Sequence, residues 1–364
     1  MILPQTFTPD WLRTVSRQLR KTTDLKLLEK VVRALSLLEQ LRRQDLSFVF
    51  KGGTSLLLHF EQPRRFSIDI DIVMPQRPEN LSTLFDGIIE RGAFSRWEND
   101  SVRRSHPHVP VEHYKFYYTS VIDTQSSFGR TGAPERRPGQ EPILLDILYA
   151  EPDYAQLIEK PLTHAWLRTD EPYEIVQLPD VNSLLGDKLT AFAPNTTGIL
   201  YSKKRPLEVV KQLFDIALLF DHASNLNSVR KTFERLATQE IAYRNLAVST
   251  SDVLKDVFNT ALIIAQRDDK QAEFLFLQDG IKRLNSYVVG DFRIEQAILA
   301  GAKAAYLSRM LQNGASMIER YTRTTQVIDW LIDDAALNRL NKLKKAQPEA
   351  FFYWYLAVIE PEAR

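Results

Sequence analysis

Two short segments carry the residues best placed to do chemistry. Lys51-Gly52-Gly53-Thr54-Ser55 is a glycine-rich turn bearing hydroxyls, and Asp69 and Asp71 stand at alternate positions a little further on. Ile68, Ile70 and Ile72 alternate with these aspartates, and Val73 and Met74 extend the apolar run. The segment therefore reads as a strand with both carboxylates on one face. Two like charges on a half-buried strand repel each other and lose hydration, so a bound cation is the natural way to keep them ionised. Backbone N–H groups at a helix start form a site for phosphates, and glycine gives the chain the freedom to bend into it. A phosphate cradle beside a carboxylate pair is what a nucleotide–Mg²⁺ site requires. Each half alone has a plainer reading. Asp-Ile-Asp suits an edge strand with one wet face, and the glycines suit a tight turn before a helix capped by Thr54 or Ser55. The polar side of the strand, however, holds little besides Ser67, Asp69 and Asp71, a sparse set for an ordinary solvated surface.

Between the two segments the chain reads as one short helix (Thr54–Phe60), a turn at Glu61-Gln62-Pro63, and Arg64-Arg65. A helix followed by an adjacent strand returns the glycine turn to the start of that strand, so triphosphate and metal would share one cleft. Arg65 is either a second phosphate clamp or an exposed charge where the strand begins.

The order K-G-G-T-S-L, then R-F-S-x-D-x-D, resembles the polymerase-β-like nucleotidyltransferases, and within them the AbiEii/AbiGii toxin family. Leu185-Gly186-Asp187-Lys188-Leu189-Thr190-Ala191-Phe192 resembles that family's second motif, a helix with a characteristic lysine. Lys211-Gln212-Leu213-Phe214-Asp215-Ile216 resembles its third, usually K-D-x-x-D. The three motifs span Lys51 to about Phe220, and the rest resembles the family only as a generic helical region. Gly53 and Asp69 are separated by 15 residues, longer than in the wider superfamily and near the spacing of the AbiEii branch. The turn carries Gly-Gly-Thr-Ser rather than a bare Gly-Ser, and Gln212 stands where the branch often has an aspartate.

The resemblance implies a nucleotidyltransferase that uses Mg²⁺ or Mn²⁺ to move an NMP from an NTP to an acceptor. It also implies a toxin of a toxin–antitoxin or phage abortive-infection system with a cognate antitoxin; for some relatives the implied acceptor is the tRNA 3′ end. NMP transfer to a protein side chain is the enzymatic alternative. A catalytically silent scaffold that binds a nucleotide or partner is the other, and the presence of Asp69, Asp71 and Asp146 together counts against it.

Two-metal transfer of this kind usually takes a third carboxylate from a neighbouring strand. Ile143-Leu144-Leu145-Asp146-Ile147-Leu148 supplies one acid in an otherwise apolar run, and an unpaired buried aspartate is costly. Asp146 is thus the candidate third ligand beside Asp69 and Asp71, and a candidate base for the incoming hydroxyl; satisfaction by a nearby Arg or backbone N–H is the alternative. Lys188 could simply pair with Asp187 or face solvent, but the resemblance makes it a phosphate-contacting lysine. Lys211 and Asp215 are four apart on a helix over Pro206–Asp221 and could form a modest ion pair. The apolar neighbours of Asp215 favour a cleft position, from which it would orient Lys188, Lys211 or the acceptor. The nucleotide-binding set is then Lys51, Gly52, Gly53, Thr54, Ser55, Arg65, Lys188 and Lys211.

These residues need an α+β scaffold: a small mixed β-sheet nucleotidyltransferase core with flanking helices (1–178) and a mostly α-helical C-terminal domain (179–364). Pro9–Gln44 reads as two amphipathic helices and Pro78–Arg91 as a helix. Val109–Val121 alternates as a strand, and Gln125–Glu141 is a turn-rich loop carrying Arg130, Arg136 and Arg137. Beyond Asp180 helices are expected over Val253–Gln266, Ala272–Val288, Ile294–Leu311, Gln326–Leu343 and Glu349–Ile359. Arg339, Lys342 and Lys345 would share one helix face as a basic patch. The aromatic run Phe351–Tyr355 reads as packing.

At 364 residues the length suits two domains, and a net charge of +1 argues against bulk nucleic-acid binding. With 0 cysteines there is no disulfide or thiolate chemistry, which suits a reducing cytoplasm. No signal peptide or membrane span is evident. The 6 histidines show no helical i, i+4 pair; His106-Pro107-His108 could bind zinc, but surface positions are the plainer reading for the histidines.

Overall fold

Two capped amphipathic helices lead into the sheet. The Trp11 N–H donates to Thr8 at the start of Pro9–Gln18 (α1), and the Lys26 N–H donates to Asp24 at the start of Leu25–Arg42 (α2). The computed structural model describes residues 1–19, 23–62, 64–100, 109–122 and 139–359. After α2 come Val49–Lys51 (β1), Gly52–His59 (α3), Ile70–Met74 (β2) and Leu81–Glu90 (α4). Arg96–Asn99 (β3), Val111–Thr119 (β4), Gln140–Tyr149 (β5), Leu157–Pro161 (β6) and Ile175–Pro179 (β7) follow. The seven strands form one mixed sheet in the order β3-β4-β5-β2-β1-β7-β6. The β2–β5 and β1–β7 pairs are parallel and the others antiparallel. The expected α+β class and mixed-sheet core are what the chain forms.

The sheet has one apolar face. Ile70, Ile72, Leu145, Ile147 and Phe116 are buried, and Phe85 of α4 packs edge-on against Tyr114 and Phe116. Near one end of the β4–β5 pairing, Glu112 accepts hydrogen bonds from Arg77 Nε (3.0 Å), the Tyr114 hydroxyl (2.5 Å) and the Tyr149 hydroxyl (2.8 Å). Burial first, and then this bond, push the Tyr114 phenol up to about 12. At the other end buried Glu29 of α2 accepts from the Ser120 hydroxyl (2.6 Å) and the Val121 N–H (2.9 Å). One end of β4 is therefore tied to β5 through Tyr149 and the other to α2.

Residues 1–152 and 157–179 make one compact unit; 153–156 and 180–364 make a second. The second is helical: Val181–Ala191 (α5), Pro206–His222 (α6), Leu226–Tyr243 (α7), Thr250–Gln266 (α8), Ala272–Leu284 (α9), Ile294–Gln312 (α10), Leu343–Ala346 (α11) and Pro348–Val358 (α12). Helix α10 packs against α6, α8 and α12, and Phe351, Phe352, Tyr353 and Trp354 are buried there as the core reading expects. No helix among the described residues is long and apolar enough to cross a membrane.

Three expectations need correction. The helix over Gln326–Leu343 does not form: turns lead to a 3₁₀ segment at Asn338–Lys342 and the four-residue α11. Polar side chains there capture backbone groups that a helix would need. Asn341 accepts from the Ile332 N–H (3.1 Å) and donates to its carbonyl (2.8 Å), and the Ala336 N–H donates to Asp334 (2.7 Å). Arg339, Lys342 and Lys345 consequently do not share a single α-helix; the first two lie on the 3₁₀ segment and the third on α11. Gln140 and Glu141, expected in a loop, begin β5. Arg130, Arg136, Arg137, His106 and His108 lie outside the described residues.

Candidate active site

The sheet assembles a polar row across four neighbouring strands. Lys51 of β1 is the register partner of Asp71 of β2, Asp71 that of Asp146 of β5, and Asp146 that of His113 of β4. Directly paired residues point to the same side of a sheet, so all four side chains share one face, the one opposite the buried isoleucines and leucines. The two carboxylates are thus immediate neighbours on parallel strands, whose spacing is about 4.8 Å. His113 Nδ1 lies 2.8 Å from Asp146 Oδ1. Asp69 is two residues before Asp71, ahead of the ladder.

The glycine turn abuts this row. Gly52 has a φ of +77°, the left-handed region that favours glycine, and a Cβ there would stand 2.1 Å from Asp71 Oδ2. A Cβ on Gly53 would stand 2.1 Å from Arg65 Nη2 and 3.1 Å from Ser67 Oγ. Gly52 is therefore required by its φ and by its approach to a carboxylate, while Gly53 is packed against the Arg65 guanidinium. Arg65 is 6% exposed and donates to the Phe66 carbonyl, which overturns its reading as an exposed charge.

Helix α3 begins in this turn with no side-chain cap, and the first four N–H groups of a helix have no partner within it. Thr54 and Ser55 do not cap it. Buried Thr54 donates to the Asp69 carbonyl (2.5 Å) and shares a 2.9 Å hydrogen bond with Ser67 Oγ; buried Ser55 donates to the Gly52 carbonyl (2.8 Å). Their hydroxyls bind the helix start to the aspartate segment, and what they offer an anion is the backbone N–H.

Among the described residues no three His, Cys, Asp or Glu side chains are gathered as a ready-made metal cage, so Asp69, Asp71 and Asp146 do not form one. The chemistry of the donors fits an open site instead. Mg²⁺ is characteristically held by one or two carboxylates and completes its shell with water and substrate phosphates. Asp71 and Asp146 in register, beside an uncapped glycine turn, supply both halves of that requirement.

In the second unit Lys188 of α5 reaches α6. Its ammonium lies 3.1 Å from Asp215 Oδ2 and donates to Gln212 Oε1 at 3.0 Å; the two charged side chains are 7% and 0% exposed. Lys188 does not pair with Asp187, which accepts instead from the Tyr154 hydroxyl (3.1 Å). Nor is Lys211 the cation on Asp215 in this ion pair: it reaches Glu208 at 2.8 Å and lies 5.4 Å from the Tyr287 ring centre. Gln212, the departure from the third motif, works here as an acceptor for the lysine.

Sequence reasoning missed His113. The signal was present, because His113 falls on the face of its strand opposite Tyr114, Phe116 and Tyr118. A search for histidine pairs at helical spacing passes over such a residue.

A family model described as nucleotidyl transferase AbiEii toxin, type IV TA system, matches residues 36–288. Among solved structures, JHP933 from Helicobacter pylori is similar at 16% identity and a TM-score of 0.44, covering 80% of this chain and 96% of that one. An H. pylori protein provisionally described as a nucleotidyltransferase is similar at 17% identity and a TM-score of 0.40, covering 79% and 95%. No curated protein matches.

Proposed function

This chain belongs to the AbiEii nucleotidyl transferase toxin family of type IV toxin–antitoxin systems, and from that premise we propose that it transfers an NMP from an NTP to an RNA acceptor such as the tRNA 3′ end. The observation that carries this reading is the register pair Asp71–Asp146 directly against the Gly52 turn. Asp71 and Asp146, with Asp69 beside them, would hold Mg²⁺ or Mn²⁺. A divalent ion bound there neutralises triphosphate charge, lowers the pKa of the attacking hydroxyl and stabilises the leaving pyrophosphate. The N–H groups of Gly53, Thr54 and Ser55 and the Arg65 guanidinium hold phosphate oxygens. Asp146 takes the proton of the acceptor hydroxyl as its oxygen bonds to the α-phosphorus and pyrophosphate departs. Lys188, to which the second motif gives a phosphate-contacting role, is held within its own unit by Asp215 and Gln212. In the cell this activity is toxic and is neutralised by a cognate antitoxin; release from that control on phage infection would give abortive infection.

The test is incubation with each α-labelled NTP, Mg²⁺, and either total tRNA or total protein. Label is expected in tRNA. Label in protein alone would replace the acceptor with a side chain, and nucleotide binding without transfer to either would leave a silent scaffold.

Gly53→Ala isolates the phosphate clamp. Gly53 has no left-handed φ and lies inside α3, so alanine costs the helix nothing and favours it by up to about 1 kcal/mol. Its methyl must displace Arg65. Loss of one charge-assisted contact, about 1.5–3 kcal/mol, corresponds to a tenfold or greater loss of NTP affinity. Calorimetry with a non-hydrolysable NTP reads this directly, and unchanged affinity with unchanged Tm would remove Arg65 from the phosphate site.

A further inference from the structure

We infer that His113 is a positioning residue for Asp146: it holds one carboxylate oxygen and so fixes which oxygen is presented to metal and acceptor. This rests on the reading of Asp146 given above and extends it to a residue that no motif contains. The geometry is specific. His113 and Asp146 are direct register partners on antiparallel strands, Nδ1 and Oδ1 are 2.8 Å apart, and the two side chains are 11% and 22% exposed. The β4–β5 register is held at one end by the Tyr149 hydroxyl on Glu112 and at the other by the Ser120 N–H on the Gly139 carbonyl (2.8 Å).

Asp146 needs such a partner because of what stands on its other side. Asp71 is its neighbour across the parallel ladder, and two carboxylates side by side repel. An aspartate χ2 is a broad, soft torsion, so a donor on a neighbouring strand narrows the orientations open to Asp146. An Nδ1–H donated to Oδ1 fixes that oxygen and with it the plane of the carboxylate. Ligating carboxylates are commonly held by hydrogen bonds in this way, and loss of such a partner costs 10–100-fold in metal affinity or activity. A different role is chemically available to the same pair: Asp146 could orient His113, with the imidazole acting as the base. The two are separable, because an asparagine amide reproduces the donor near Nδ1 and cannot serve as a base.

The experiment uses full-length protein with a non-hydrolysable NTP and reads Mn²⁺ binding by electron paramagnetic resonance, alongside kcat and KM for NMP transfer. The variants are His113→Leu, His113→Asn, Asp146→Asn and the double His113→Leu/Asp146→Asn. We expect His113→Leu to weaken Mn²⁺ about 10–100-fold and to lower kcat comparably, with little change in the KM for NTP. His113→Asn should recover most of both. The double variant should be no weaker than Asp146→Asn alone, since the two residues act through one oxygen pair. Wild-type Mn²⁺ affinity in His113→Leu, with Asp146→Asn defective, overturns the inference while leaving the role of Asp146 intact. His113→Asn as defective as His113→Leu overturns it in favour of the imidazole base. Undiminished Mn²⁺ binding in Asp146→Asn overturns both. Should His113→Leu fail to fold, His113→Phe, which keeps a ring and carries no donor, takes its position in the same comparison.

Discussion

Asp71→Asn is expected to lower NMP transfer by about 10³-fold or more while the melting temperature moves by only a few degrees. The first half follows from the site. A metal ligand lost from a phosphoryl-transfer centre removes several kcal/mol of charge stabilisation, and each 1.4 kcal/mol is a factor of ten in rate. The second half follows from the register. Asp71 is flanked by Lys51 on one side and Asp146 on the other, so neutralising it relieves one repulsion and gives up one attraction. Cross-strand charge pairs are worth about 0.2–1 kcal/mol each, and in a unit of this size 1 kcal/mol shifts Tm by about 2–4 °C. Asparagine is nearly isosteric, so it does not disturb Gly52, which packs against this side chain. Transfer of labelled NTP and scanning calorimetry on the same preparation check both halves, and a growth assay adds the cellular consequence. A soluble, folded Asp71→Asn protein that still transfers NMP and still arrests growth would show that the carboxylate pair is not the catalytic centre.

How much of this centre was legible in the chain depends on the range over which each signal acts. The alternation of Ile68, Ile70 and Ile72 with Asp69 and Asp71 is local, so the polar face of β2 could be read directly. The Gly52 turn was equally readable, because a left-handed φ is a demand made by one residue. That Asp146 sits in a buried strand followed from its apolar neighbours; that it stands beside Asp71, and that His113 stands beside it, are facts of register between strands distant in sequence. Nothing in a single sequence states that register. The strands β1, β3, β6 and β7 escaped notice, β3 and β6 for another reason. These two are the edges of the sheet, and Arg-Trp-Glu-Asn or Leu-Ile-Glu-Lys-Pro, with its closing proline, carries little of the apolar alternation of a central strand. Over 326–343 the apolar spacing was genuine, yet Asp334 and Asn341 bind backbone groups locally and tertiary packing outweighed propensity: Trp330 packs at a tilt against Phe352 and Tyr355.

In the second unit the sharpest expectation concerns Asp215, which is fully buried against Lys188. Asp215→Ala should cost about 3–5 kcal/mol, because it leaves an ammonium in the interior with only the Gln212 carbonyl oxygen as a described partner. At about 2–4 °C per kcal/mol the Tm should fall by roughly 10 °C. That loss alone would say nothing about catalysis, since any buried ion pair broken on one side behaves this way. The informative variant replaces both partners, Lys188→Met with Asp215→Leu. An apolar pair of similar volume is often as stable as the ion pair it replaces, so this chain should melt close to the wild type. If Lys188 faces the triphosphate, the same double variant should bind a non-hydrolysable NTP at least tenfold more weakly and transfer NMP poorly despite its restored stability. Calorimetric melting, NTP titration and the labelled-transfer assay on the three proteins separate the roles. A double variant that melts like the wild type and also transfers like it would make the Lys188–Asp215 pair an element of helix packing and nothing more.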